Sequence, residues 1–227
     1  MKNIIKCTFK WLGLIVCAFL GFVMFQLPTL EEIPAYSVNN QAEFNEVMRD
    51  VNLSHNALLF VLFAIIAFTW EWYFCKLAGN KIIFNKKVTL KNLVLAISGG
   101  IVSFFIAWVI NLMAHSSQFD IMAATLRSRL AIILLLGVNI VGPILEELYF
   151  QGAIQKGLFK KLNPWVAIIL TSIIFAICHN SDVNIFFLEK VIAGIILGYI
   201  YQKTDDIKMP IVCHSIMNLM ITLLAYL

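Results

Sequence analysis

The chain has 227 residues, 61% of them hydrophobic and 13% charged, with a mean hydropathy of +0.87. A soluble domain is nearer half apolar and a quarter charged, so this chain has too little polar surface to stay in water and reads as an integral membrane protein. The net charge of +4 does not point to nucleic acid; where the charges lie matters more.

A lipid span needs about 20 apolar residues. Seven spans are predicted, over 8–27, 56–78, 92–114, 129–159, 164–180, 184–202 and 208–227, so the fold class is an all-α polytopic transmembrane helix bundle. The first span follows Lys2, Lys6 and Lys10 like a signal sequence, but it ends in QLPTLEEIP with no small-x-small cleavage site and reads as an uncleaved anchor. With the N-terminus inside, thirteen of the seventeen Lys and Arg fall on the inner side. The outer loop 28–55 carries Glu31, Glu32, Glu43, Glu46 and Asp50 against Arg49 alone. This is the positive-inside pattern, and it puts the C-terminus outside; a re-entrant segment would change the count. The five cysteines form no CxxC pair and sit mostly in apolar runs, where they act as small hydrophobes rather than a disulfide framework.

Ionisable groups inside a span cost several kcal/mol and usually line a cavity. Those deep in apolar sequence are Glu146, Glu147, His179, Glu189, Lys190 and His214. Glu71, in TWEWYFCK, reads as part of an interfacial belt with the tryptophans and Lys76, and His55 and His115 as solvated span ends. Glu189 and Lys190 point about 100° apart on a helix and read as a structural polar seam.

Segment 129–159 is too long for one straight span, and Gly142-Pro143 predicts a break. Proline suits the first turn of a new helix, where free amides and the macrodipole would favour the carboxylates of Glu146 and Glu147. One acid should face a cavity and the other a helix neighbour. Gln151, four residues on, falls beside Glu147; an amide can hydrogen-bond a carboxyl but cannot neutralise it. The string EELYFQG differs by one residue from a viral protease site used to clip purification tags. It lies deep in the chain without a linker, and reads as native sequence.

In antiparallel helices joined near 162, residue 146 meets residue 178 or 179 in depth, so Glu146 and His179 share a level. A carboxylate and an imidazole at one depth can hold and activate a water. His214 and Asn218 are four apart on one face of the last span, where an imidazole and an amide can donate to a developing oxyanion. Counted from a turn near 205, however, His214 comes out roughly 10 Å closer to the inner face than Glu146 at 1.5 Å per residue. The plainer reading of the same residues is interhelical hydrogen-bond glue.

At these residues the chain resembles the CPBP family of intramembrane proteases (CAAX protease, Abi). The family pattern is two adjacent glutamates with an arginine four after the second, then Phe-x-x-x-His, then His-x-x-x-Asn. Here these read EELYFQG from Glu146, FAICH from Phe175 to His179, and HSIMN from His214 to Asn218. The resemblance implies an Rce1-like protease core over 129–220 behind N-terminal helices and loops over 1–128. It implies that Glu146 and His179 activate the attacking water, with His214 and Asn218 stabilising the oxyanion and Glu147 and Gln151 in support. Gln151 departs from the family, which has arginine there. No cofactor is required by this reading; zinc held by Glu146, His179 and His214 is the alternative, and adjacent helical glutamates are poor joint ligands for one ion.

The expected activity is therefore an intramembrane endopeptidase in a bacterial plasma membrane, with the lipid bilayer and a membrane protein or peptide substrate as partners. A non-catalytic bacteriocin self-immunity or regulatory protein of the same family is the alternative. A small transporter would show an inverted repeat or paired broken helices, and none is visible in the sequence.

Overall fold

A computed structural model describes residues 13–14, 16–24, 26–32, 38, 40–82, 84, 86–114, 120–179 and 182–226. The N-terminal lysines, Cys7, His115 and the start of the first predicted span lie outside them. The described residues form helices and no strand. We label the helices α1 (Val16–Glu31), α2 (Gln41–Asp50), α3 (Leu53–Ala78), α4 (Leu90–Ala114), α5 (Ile121–Leu126), α6 (Ala131–Leu158), α7 (Pro164–His179), α8 (Ile185–Thr204) and α9 (Lys208–Tyr226). Five are long and apolar enough to cross a membrane (α3, α4, α6, α8, α9), and α1 and α7 are shorter apolar helices. Six coincide with predicted spans, and α1 overlaps the first of them over 16–27.

Local chemistry sets the ends. The Asn52 side chain accepts from His55 N at the start of α3, and α3 stops at Gly79, whose φ of 89° is open to glycine. Asn184 caps α8 by accepting from Phe186 N and Phe187 N. In the segment read as an outer loop, α2 instead buries Phe44 and Met48 against Phe60, Leu130 and Ile133.

The most enclosed span is α6, with 44% of its apolar window buried against 22% in α4. Around it the helices approach closely at small residues. A Cβ on Gly100 of α4 would lie 2.6 Å from Cys213 O of α9, and one on Gly194 of α8 would lie 2.9 Å from Ser172 Cα of α7. Without a hydrophobic driving force between helices in lipid, such backbone proximity is what dispersion needs to hold them.

The predicted break at Gly142-Pro143 is absent. The helix runs on through 131–158, with wide i→i+5 turns over Gly137–Val141 and Leu148–Leu158. Gly142 N donates to Gly137 O, five residues back, so the chain widens ahead of the proline rather than ending. Glu146 and Glu147 thus stand mid-helix, with no free amides of a helix start to favour their charge.

Glu71 also departs from expectation. It is fully buried, and neither carboxyl oxygen has a hydrogen-bond partner among the described residues. The belt exists one residue on, where Trp72 and Tyr73 are exposed and Lys76 Nζ sits 3.5 Å over the Trp72 ring. A step of about 100° turns Glu71 inward toward Gly21 and Tyr149.

The lysine-rich loops gather at one end. Lys156 and Lys86 pair with Asp205, Lys160 Nζ donates to Ala78 O, and Lys208 Nζ donates to Phe84 O and Lys86 O. The Lys156 ammonium hydrogen-bonded to Asp205 holds that carboxyl below the usual carboxylate range.

Candidate active site

Glu146 and Glu147 diverge by one helical step, and each meets its own histidine. Glu146 Oε2 lies 3.2 Å from His179 Nε2, a contact whose angles fall short of a hydrogen bond. Glu147 Oε1 lies 2.9 Å from His214 Nδ1 in a hydrogen bond. Exposure separates the pairs: side-chain values are 18% and 24% for Glu146 and His179, against 0% and 4% for Glu147 and His214. The first pair is partly open, and the second is nearly closed off.

The hydrogen bonds constrain the protons. His179 Nδ1 lies 2.7 Å from Phe175 O, and a carbonyl only accepts, so Nδ1 carries hydrogen. Nε2 then faces a carboxyl, and a bare lone pair against a carboxylate is repulsive. A proton on either group, giving carboxylate with imidazolium or carboxylic acid with imidazole, would relieve that repulsion. Phe175 fixes the ring as well, with centroids 4.1 Å apart and planes 29° from parallel. Its edge contact with the His214 ring at 6.1 Å ties the two pairs together.

Lys190 Nζ donates to Glu189 Oε1 at 3.2 Å, so the two residues read as a polar seam meet each other.

Asn218 is engaged in a way its spacing did not announce. Its Nδ2 donates to Val138 O at 2.8 Å. In the i→i+5 register of that turn, the natural donor to Val138 O is the amide of residue 143, which is proline and has none. Asn218 supplies the missing donor from a neighbouring helix. Asn218→Leu is expected to strand that carbonyl and cost about 1–3 kcal/mol. Pro143→Ala should restore the amide and recover much of the loss, which a double-mutant cycle on thermal unfolding would measure; additive effects would sink the account.

The expected 10 Å depth mismatch closes. The α8–α9 turn is not level with the α6–α7 turn: Lys156 pairs with Asp205, well before residue 162. Nine residues separate Glu147 from Lys156 and nine separate Asp205 from His214, so both reach one depth. Gln151 does not hydrogen-bond Glu147: both its polar atoms, and Glu147 Oε2, are buried without partners among the described residues.

Among the described residues, no group of three or more His, Cys, Asp or Glu side chains is placed to hold a metal ion. Glu146, His179 and His214 form no such group, and no step below passes through a metal.

Residues 128–220 match the family profile described as "Type II CAAX prenyl endopeptidase Rce1-like". Over this segment, which holds all three motifs, the chain is similar to that family. It is 35% identical over 86 residues to "Putative membrane peptidase YdiL" of Bacillus subtilis (strain 168), covering 38% of this chain and 34% of that protein. It is 34% identical over 89 residues to "Membrane-embedded CAAX protease MroQ" of Staphylococcus aureus (strain USA300), covering 36% of this chain and 34% of that one. The chain thus spans about a third of the length of these curated relatives. No solved structure matches.

Proposed function

We propose that this chain is a membrane-embedded endopeptidase that hydrolyses peptide bonds of membrane-associated proteins or peptides, with 129–220 as its catalytic core. The observation that carries the reading is the partly exposed Glu146–His179 contact at 3.2 Å beside the enclosed Glu147–His214 pair at 2.9 Å. In the carboxylate–imidazolium form, His179 holds Glu146 through the buried Oε2, while the second carboxyl oxygen, Oε1, accepts from a water. The water oxygen attacks the peptide carbonyl carbon and its proton passes to Glu146. The carbonyl oxygen becomes an oxyanion, received by His214 and by the second amide hydrogen of Asn218. For His214 to donate from Nε2, its Nδ1 must accept from a protonated Glu147 or the ring must be an imidazolium, so Glu147 sets which proton is offered. When the carbon–nitrogen bond breaks, Glu146 returns its proton to the leaving amine, and a carboxylate and an amine result. The lysine-rich end faces the cytoplasm, which puts the N-terminus inside.

The second reading, a non-catalytic immunity or regulatory membrane protein, is favoured by one observation: Gln151 leaves Glu147 Oε2 without a counter-charge. Mass spectrometry of membrane and secreted peptides tests both. Cells expressing the native chain should carry new peptide termini that vanish with Glu146→Gln and with His179→Ala at matched levels. A host-protection phenotype that survives both changes, with no dependent terminus, would establish the second reading.

A further inference from the structure

Glu147, Gln151 and Gln155 recur every fourth residue along α6, a spacing that keeps side chains on nearly one face. All three are at most 2% exposed. Along this row Glu147 Oε2, both polar atoms of Gln151 and Gln155 Oε1 have no hydrogen-bond partner among the described residues. Buried polar groups are overwhelmingly satisfied by protein or by water, and a buried water typically makes about three hydrogen bonds to such groups.

Two further features give the row a direction. Gly198 of α8 faces it: a Cβ there would lie 2.7 Å from Gln155 Oε1 and 3.4 Å from Gln151 Oε1, so both amides converge where only glycine leaves room. Gln155 Nε2 donates to Gly198 O at 3.0 Å, which aims its free oxygen along the row. At the far end Gln155 lines a cavity of about 250 Å³ at the lysine-rich end, together with Asn80, Lys156, Lys160 and Gln202.

We infer that the Glu147–Gln151–Gln155 row binds water and passes it from the lysine-rich cavity to the enclosed side of the active site. The inference rests on the hydrolytic reading only for its purpose, since each bond cleaved consumes one water and the site is surrounded by lipid. Water binding itself is independent of activity. Gln151, neutral and able both to donate and to accept, is the relay; a fixed cation at this position would only donate.

The test is radiolytic hydroxyl labelling of the full chain in lipid nanodiscs, mixed rapidly with H₂¹⁸O. Ile168 is 1% exposed, and its Cγ2 lies 3.2 Å from the Gly198 Cβ position, so only an internal water can label it. The native chain should take ¹⁸O label at Ile168. Gln151→Met, which removes no hydrogen bond seen among the described residues, and Gly198→Ala, which closes the junction from the other side, should each reduce that label to the background of buried Leu134. Turnover should fall in both variants with KM unchanged. A native chain unlabelled at Ile168, or label that persists in both variants, would overturn the row while leaving the protease reading intact. Label lost in both variants of a chain that cleaves nothing would sustain the row and sink the protease.

Discussion

Glu146→Gln should abolish cleavage of any peptide whose new terminus depends on this chain, lowering kcat/KM by about a thousand-fold or more. Glutamine keeps the shape and cannot take a proton from water, so the loss should fall on kcat rather than on KM. His179→Ala should match it, because without the ring the Glu146 carboxylate loses the group that holds it at 3.2 Å. The double variant should be no worse than either single one, since residues acting as one unit do not add. Glu146→Gln, which keeps the shape of the side chain, should melt close to the native chain. The assay is hydrolysis of the identified peptide by purified protein, with melting followed in parallel. Retained cleavage in Glu146→Gln would remove the proposed base and the mechanism with it.

Much of this geometry is legible in the sequence, and the exceptions have physical causes. Spans are legible because a lipid-crossing helix needs one long apolar run, whatever it packs against. The level shared by Glu146 and His179 follows from counting across a short turn. The pairing of Glu147 with His214 did not follow, because the counting assumed that both inner turns lie at one depth. The Lys156–Asp205 contact, which displaces one turn against the other, is a long-range event with no local signature. Pro143 misled for a similar reason: proline removes one amide hydrogen, and whether a helix ends or widens depends on who satisfies the stranded carbonyl. Here that donor is Asn218, distant in sequence. Glu71 misled because tryptophans on either side suggested a surface, whereas adjacent helical residues face different ways. Gln151 was visible as a neighbour of Glu147, but its orientation toward Gly198 is a property of α8, not of its own helix.

His214→Ala should be far more damaging to the fold than any change in the Glu146–His179 pair. Glu147 is fully buried, and His214 Nδ1 is its single hydrogen-bond partner among the described residues. Truncating the ring strands a carboxyl in an apolar interior, which in buried pairs costs about 3–5 kcal/mol. Replacing both residues together, Glu147→Leu with His214→Leu, removes the stranded group along with its partner, and should recover most of that loss. The recovered protein should be folded and catalytically crippled, because only the Asn218 amide remains to receive the oxyanion. Thermal unfolding in detergent distinguishes the cases: a large fall in midpoint for His214→Ala, and a small one for the double variant. If His214→Ala instead melts with the native chain while cleavage disappears, the enclosed pair serves chemistry alone. The fold would then be held by the helix approaches at Gly100 and Gly194, not by a buried carboxyl–imidazole bond between α6 and α9.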